Sequence, residues 1–225
     1  MQYEDITSKL KSLANPEAVK GMARFGISPK NTYGVSIPNL RKMAKEIGIN
    51  HDLAERLRDS KIHEARILAS LISDPKMVTE EQMDNWAKDF DSWDVCDQCC
   101  GNLFDKTRFA YKKAVEWTAR EEEFVKRAGF VLMATLAVHD KKAQDEDFLM
   151  FFPLMIREAS DNRNFVKKAV NWALRQIGKR NLSLNKKAIE TAKEIRTIES
   201  RSARWIASDA IGELKSGSVQ KRLRK

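Results

Sequence analysis

The sequence predicts an all-α fold in which pairs of helices stack as repeats. The segment Phe124-Val125-Lys126-Arg127-Ala128 recurs 41 positions later as Phe165-Val166-Lys167-Lys168-Ala169. Each copy opens a stretch with apolar residues at helical spacing. Only nine glycines and five prolines in 225 residues leave little room for a turn-rich β fold. A helical repeat of this length is typical of a HEAT-like α-solenoid, whose repeats bury their apolar faces against their neighbours.

Apolar periodicity and capping residues predict helices along the whole chain. Pro38 is placed to open a helix and Gly48 to end it, and Thr79-x-x-Gln82 resembles a capping box. Asp91-Ser92 is expected to cap the helix that begins at Trp93. Longer helices of an inner layer are expected to begin near residues 62, 93, 124, 165 and 202. The predicted helices span residues 3–13, 38–47, 52–58, 61–73, 79–88, 93–104, 111–119, 124–138, 145–158, 165–177, 184–195 and 202–214.

The sequence indicates one repeat domain, residues 1–225, without an internal boundary. Residues 1–50 are expected to form an N-terminal helical cap with an irregular loop from Gly26 to Pro38. Residues 215–225 carry four Lys or Arg after Gly217 and have no apolar periodicity. They are expected to form a flexible basic tail, either in contact with phosphate or simply frayed.

The charge balance favours a polyanionic partner. Lys and Arg exceed Asp and Glu by 41 to 32, which gives a formal net charge of +9. Nucleic acid is the first expectation, an anionic membrane surface the second, and a protein that is basic without such a partner the third. The chain has no run of 18 apolar residues, and its N-terminus lacks the layout of a signal peptide. We therefore expect no membrane-spanning segment, DNA rather than a membrane as the partner, and a cytoplasmic location, near the nucleoid when DNA is bound.

Three cysteines, Cys96, Cys99 and Cys100, lie within five positions. An odd number on one helix turn argues against a disulfide framework and for a reducing compartment. Cys96-x-x-Cys99 has the spacing of half a zinc site, but no second ligand pair follows at a suitable distance. Buried helical cysteines and no bound metal are therefore expected.

The two repeat copies differ at one position of chemical interest. Trp172 stands where Val131 stands in the earlier copy, and Lys168, Arg175 and Lys179 share its helix face. A tryptophan in a basic stripe suits nucleic acid, because the ring can contact sugar or base while the cations contact phosphate. The alternative is that Trp172 packs in the core beside a solvated stripe.

A second candidate is Trp93-Asp94-x-Cys96-Asp97, in which Trp93 and Asp97 share one helix face. An acid beside an indole in a basic groove can stabilise a developing cation. The alternative is that Asp94 and Asp97 only complement the helix dipole. Arg127 lies on the intervening inner helix, so Trp93, Asp97, Arg127 and Trp172 are expected to converge on a basic concave face. The other tryptophans have apolar neighbours and are expected in the core: Trp86, Trp117 and Trp205.

Four stretches taken in order resemble the bacterial DNA alkylation repair enzymes of the AlkD type. They are Tyr33 to Arg41, Ser92 to Asp97, Lys126-Arg127 and Asn171 to Gly178. The resemblance covers about residues 20–214. It implies a HEAT-like 3-methyladenine and 7-methylguanine DNA glycosylase that acts on double-stranded DNA. The resemblance also implies that the enzyme grips the backbone at the lesion and does not flip the alkylated base out of the helix before cleavage.

The resemblance also implies roles for individual residues. Trp93, Asp97, Arg127 and Trp172 take the catalytic positions, with Lys126 as the alternative for the arginine. No cofactor or metal is implied, and a monomer is expected. Two further functions stay open: a non-catalytic solenoid that binds nucleic acid through the same face, and a protein-binding scaffold. The expected DNA contacts are Arg41, Lys126, Lys168, Arg175, Lys179 and Arg204.

Overall fold

The computed structural model describes residues 1–224, and all regular structure within them is helical, as the sequence predicts. Short 3-10 turns lie at Phe104–Lys106 and Trp117–Ala119. Within the described range, no helix has the length and apolar character needed to cross a membrane. The α-helices are α1 (Tyr3–Ser12), α2 (Pro16–Ala23), α3 (Ile37–Ile47), α4 (His51–Asp59), α5 (His63–Ile72), α6 (Glu80–Lys88), α7 (Trp93–Asn102), α8 (Ala110–Glu116), α9 (Glu123–His139), α10 (Asp145–Leu149), α11 (Phe152–Glu158), α12 (Asn164–Gly178), α13 (Leu182–Arg196), α14 (Arg201–Leu214) and α15 (Gly217–Leu223).

The chain divides into two compact units, and the expectation of a single repeat domain stays a prediction. The N-terminal unit is Met1–Arg108, and the C-terminal unit begins at Phe109. In the N-terminal unit, α5 packs against α3, α4 and α7, and almost its entire surface is buried. Helix α5 is therefore the support on which the loop before α3 and the start of α7 are positioned.

The C-terminal unit is built around α9 and α12, the helices that open with the repeated segment. Helix α8 packs on α9, and α13 and α14 pack on α12. The rings of Phe124 and Phe165, the first residues of the two copies, lie 5.4 Å apart between centroids. The copies are thus neighbours in space, which is how a repeat buries the face it cannot bury alone.

Several helix ends follow the expected local chemistry. Pro38 lies in the first turn of α3, and Gly48 ends that helix with φ of 74°. Thr79 and Gln82 form the predicted capping box at the start of α6. Ser92 takes the N-cap position of α7 with an extended backbone, but its side chain makes no capping hydrogen bond, so this expectation is met in position only. These boundaries agree with the sequence because each depends on groups within a few residues.

Two predicted elements were wrong. Residues 145–158 form two helices rather than one, because Pro153 lies in the first turn of α11. Proline has no amide hydrogen for the preceding turn, and its ring collides with the carbonyl four residues back. The second error is the flexible tail, since residues 217–223 form α15 with Val219 buried. A single apolar anchor in this short helix is too weak a periodic signal to predict it. Lys225, the last residue of that predicted tail, lies outside the described residues.

The expectation of a core position was confirmed for Trp86 and Trp117 and was wrong for Trp205. Trp86 and Trp117 are 5% and 1% exposed, whereas Trp205 is 39% exposed. Helix α14 packs through the residues around Ile206 and Ala210, so position 205 falls on its outer face.

Candidate nucleic-acid interface

Trp93 and Asp97 lie one turn apart on α7, in the N-terminal unit. Both side chains are half-buried, so each keeps a surface open to solvent. Trp93 is the first residue of the helix, and its indole Nε1 donates a hydrogen bond to the Phe25 carbonyl at 3.1 Å. That bond fixes the ring against the turn that follows α2.

Phe25 brings a second aromatic ring to this area, which the sequence analysis did not identify. Its side chain is 69% exposed, and Arg24 beside it is also exposed. Gly26, with φ of 82°, follows directly. The sequence does show a turn in which an arginine and a phenylalanine precede a glycine. It does not show which helix this turn packs against.

The start of α7 is tied to α5 by charged side chains. His63 Nε2 lies 2.8 Å from Asp94 Oδ2, and both side chains are largely buried. Burial alone raises the pKa of Asp94, but the hydrogen bond and charge of His63 outweigh it, so this pKa lies below its ordinary value. Arg66 donates to Asp91 Oδ1 at 2.6 Å and to the Asp89 carbonyl at 2.5 Å. The segment that leads into Trp93 is therefore held on both sides.

Glu64 holds the loop before α3 through backbone amides. Its carboxylate accepts from the N–H groups of Tyr33, Gly34 and Val35 at 3.0, 2.6 and 3.2 Å, and its side chain is almost completely buried. Gly34 has φ of 78°, and a Cβ there would lie 2.4 Å from the Asn15 carbonyl oxygen. Only glycine fits this position without strain. The stretch that begins with Tyr33-Gly34-Val35 is thus explained by loop geometry.

The cysteines of α7 lie in the core. Cys96, Cys99 and Cys100 are all buried, as expected for helical packing residues. Burial raises the pKa of Cys99 and of Cys100 far above the usual range of a thiol, which disfavours the reactive thiolate.

Lys126 and Arg127 open α9 in the C-terminal unit, and both are buried. The Lys126 ammonium pairs with Glu158 at 2.6 Å and lies 3.9 Å from Asp161. Arg127 donates to the Phe165 carbonyl at 2.7 Å. A phosphate at Lys126 would have to displace a buried ion pair, so this geometry disfavours Lys126 as a DNA contact and as the family arginine.

The predicted stripe on α12 is only partly exposed as a cationic surface. Lys168 is exposed and Trp172 is half-buried. Arg175 forms an ion pair with Glu213 of α14, and Lys179 pairs with the same carboxylate at 2.6 Å. Burial raises the pKa of Glu213, but the hydrogen bond from Lys179 and the charge of Arg175 lower it by more. The pKa of Glu213 therefore lies below its ordinary value. Helix α14 thereby neutralises part of a stripe that is wholly basic in sequence.

The remaining predicted contacts, Arg41 and Arg204, are exposed on α3 and α14. Arg41 lines a shallow cleft together with Lys45. Near Arg204, the exposed ring of Trp205 carries the Lys167 ammonium at 5.5 Å from its centroid. This cation–π pair adds an aromatic and a cation that the sequence analysis did not assign to the surface.

The four expected catalytic residues are divided between the units. Trp93 and Asp97 belong to the N-terminal unit, whereas Arg127 and Trp172 belong to the C-terminal unit. Trp93 and Asp97 lie on one helix, α7, whereas Arg127 and Trp172 lie on α9 and α12, which pack against each other. The convergence of all four on one concave face stays a prediction.

Helix pairs that stack through repeated segments, with part-exposed tryptophans at the helix surface, define the class as a HEAT-like repeat protein. A solved structure described as "a new family of proteins related to the HEAT-like repeat DNA glycosylases with affinity for branched DNA structures" has this fold. Its TM-score is 0.78 at 22% identity, over 99% of this chain and 96% of that one. The predicted fold class is confirmed.

The family follows from the sequence profile of the DNA alkylation repair enzymes, which matches residues 6–214. The chain belongs to this family. Two relatives are the uncharacterized proteins Lin0241 of Listeria innocua and Lmo0209 of Listeria monocytogenes. They are 24% and 22% identical over 197 residues, which is 86% of this chain and 86% of each relative.

Proposed function

We propose that the protein is a monofunctional DNA glycosylase for cationic N3- and N7-alkylated purines in double-stranded DNA. The observation that carries the proposal is the half-exposed pair Trp93 and Asp97 on the first turns of α7, in a chain of the DNA alkylation repair family. A part-exposed carboxylate beside an indole suits a reaction in which positive charge develops on a sugar.

The reaction breaks the bond between C1′ of the deoxyribose and the alkylated purine nitrogen. The bonding electrons leave with the purine, whose positive charge makes it a good leaving group without a strong general acid. The sugar becomes oxocarbenium-like, and water attacks C1′ to leave an abasic site. Asp97 stabilises the sugar cation and orients the water, whose proton passes to the Asp97 carboxylate and then to solvent as the new C–O bond forms.

The other candidate residues position the substrate. The ring of Trp93 packs on the deoxyribose and contributes cation–π attraction as charge develops. Trp172, on the C-terminal unit, supplies a ring for a separate contact with sugar or base. Exposed Lys168 and Arg41 contact phosphates. Arg127, which is buried and bound to the Phe165 carbonyl, supports the start of α9 near such a contact.

A second candidate is DNA binding without catalysis. The solved relative is described by its affinity for branched DNA structures. In this chain, Arg175 and Lys179 are paired with Glu213, which leaves fewer cations for a regular duplex. This function predicts salt-dependent binding with no abasic sites formed.

The test is release of 7-methylguanine from duplex DNA, followed by alkaline cleavage at abasic sites. Asp97→Asn keeps the size of the side chain and removes its charge, so release should slow by at least about tenfold. Asp52→Asn is the matched control, because Asp52 is an exposed first-turn acid on α4. Equal rates for wild type and Asp97→Asn would refute the catalytic assignment, and binding without release by wild type would support the second candidate.

A further inference from the structure

A basic cleft of about 830 Å³ opens in the C-terminal unit between the last turns of α9 and α12 and helix α15. Its lining includes Lys141, Lys179, Arg180 and Arg222, and no carboxylate lines it within the described residues. Lys179 is neutralised by Glu213, so Lys141, Arg180 and Arg222 carry the net positive charge of the lining. Clustered charge of one sign concentrates ions of the opposite sign.

The cations of this cleft divide into structural and available ones. Arg180 donates to the carbonyls of Ala137 and Asp140 at 2.8 and 2.9 Å, and its guanidinium lies 4.2 Å from the centroid of the Phe148 ring. It thus neutralises the partial negative charge at the carboxyl end of α9. Lys141 and Arg222 are exposed, and the bond from Arg222 to the Lys179 carbonyl is long, at 3.5 Å. These two side chains can turn toward an incoming anion at low cost.

Helix α15 is held firmly enough to present Arg222 in a defined place. Val219 is buried, and Gln220 donates to the Leu214 carbonyl at 2.7 Å and to Asn185 Oδ1 at 3.1 Å. The family match ends at residue 214, so α15 lies beyond the part that the family profile describes.

The cleft continues the face of α12 that carries Trp172. Gln176 and Lys179, which line the cleft, follow Trp172 by four and seven residues and share its helix face. Seven residues of helix correspond to about 10 Å, or about three base-pair steps of B-DNA. A DNA strand that passes Trp172 along this face would reach the cleft within that distance.

We propose that Lys141 and Arg222 form a second phosphate-binding site, in which α15 holds the DNA backbone beyond the Trp172 contact. The ligand is the phosphodiester backbone of DNA. The inference rests on the proposed function in one respect, that the partner is DNA, and does not require that the protein release a base.

The test measures the salt dependence of DNA binding with the full chain. A labelled duplex is titrated with wild type and with the double variant Lys141→Gln/Arg222→Gln over a range of KCl concentrations, with fluorescence anisotropy as the signal. A plot of log K against log[KCl] has a negative slope, and the loss of two phosphate contacts should make that slope less steep by about 1.8. The control is Lys187→Gln/Lys193→Gln, which removes the same charge from exposed positions on α13. The proposal is overturned if both double variants give the same slope.

A further variant tests the part played by α15. Gln220→Ala removes the bonds that hold this helix, so it should weaken DNA binding in the wild-type background. It should have little further effect in the Lys141→Gln/Arg222→Gln background, because the cations that α15 positions are already gone. Equal effects in both backgrounds would contradict a role for α15 in the cleft.

Base release by wild type separates this inference from the proposed function. A reduced slope in a protein that releases no 7-methylguanine would support the cleft and refute the glycosylase. Base release together with an unchanged slope would support the glycosylase and refute the phosphate-binding cleft.

Discussion

Removal of the Glu64 carboxylate should release the loop before α3 while most of the N-terminal unit stays folded. The substitution Glu64→Ala leaves the amides of Tyr33, Gly34 and Val35 without their acceptor. Gly34 and Val35 are buried, so water reaches their amides only if the loop moves. The loop is therefore the segment that yields first.

The size of the effect follows from the number of amides that lose a partner. A buried polar group left without a hydrogen bond costs about 1–3 kcal/mol, and two of the three amides are buried. With partial relaxation of the loop, the expected loss is about 3 kcal/mol. Glu64→Gln keeps one carbonyl oxygen and loses the charge, so its expected loss is smaller, about 1–2 kcal/mol.

Hydrogen exchange read by mass spectrometry checks this order. A loss of 3 kcal/mol should speed exchange of the residue 33–35 amides by about a hundredfold. Urea unfolding should show a lower midpoint in the order wild type, Glu64→Gln, Glu64→Ala. Glu17→Ala, which removes an exposed ion pair with Lys20, should stay near wild type. The reasoning is wrong if Glu64→Ala exchanges at the wild-type rate in this loop.

The other predictions concern α7 and α12. Asp94→Asn should destabilise the protein by about 1–2 kcal/mol at neutral pH, since it removes the negative charge that strengthens the bond to His63. Because the pKa of Asp94 is depressed below 3.8, the wild-type advantage should hold above about pH 5 and shrink as the pH falls below about 4; an advantage that grows on acidification would contradict this sign. Gly178→Ala should lower the melting temperature, because a Cβ there would lie 2.8 Å from Ala188 and Leu214 side-chain atoms. Gly212→Ala meets nothing within 4 Å and should stabilise α14 instead, so equal melting temperatures for the two variants would refute the packing argument.

The parts of the fold that could be predicted depend on local chemistry. The capping box at Thr79 and the glycine at the end of α3 act within one helix turn, and both were predicted correctly. The break before Pro153 was missed because apolar spacing continues across it. Helix α15 was missed because its anchoring includes a hydrogen bond from Gln220 to Asn185, 35 residues earlier in the chain.

The site shows the same limit more clearly. The spacing of Lys168, Trp172, Arg175 and Lys179 correctly places them on one helix face, but spacing contains no information about the facing helix. Glu213 lies 38 residues after Arg175, and it becomes a partner only when α14 packs on α12. The role of His63 depends likewise on Asp94, 31 residues away. Charge in the sequence therefore overstates the charge available at the surface.

One recurring contact affects how such repeats can diverge. Arg127, Arg58 and Arg180 each donate to a main-chain carbonyl of another helix or the turn after it, at Phe165, Trp86 and Ala137 respectively. A carbonyl is present whatever side chain its residue carries, so these hydrogen bonds do not require a particular residue at the accepting position. The Lys126–Glu158 ion pair does have such a requirement, because position 158 must remain an acid. Where an arginine of one helix donates to a main-chain carbonyl of another, the residue that supplies the carbonyl can therefore be substituted without loss of this hydrogen bond.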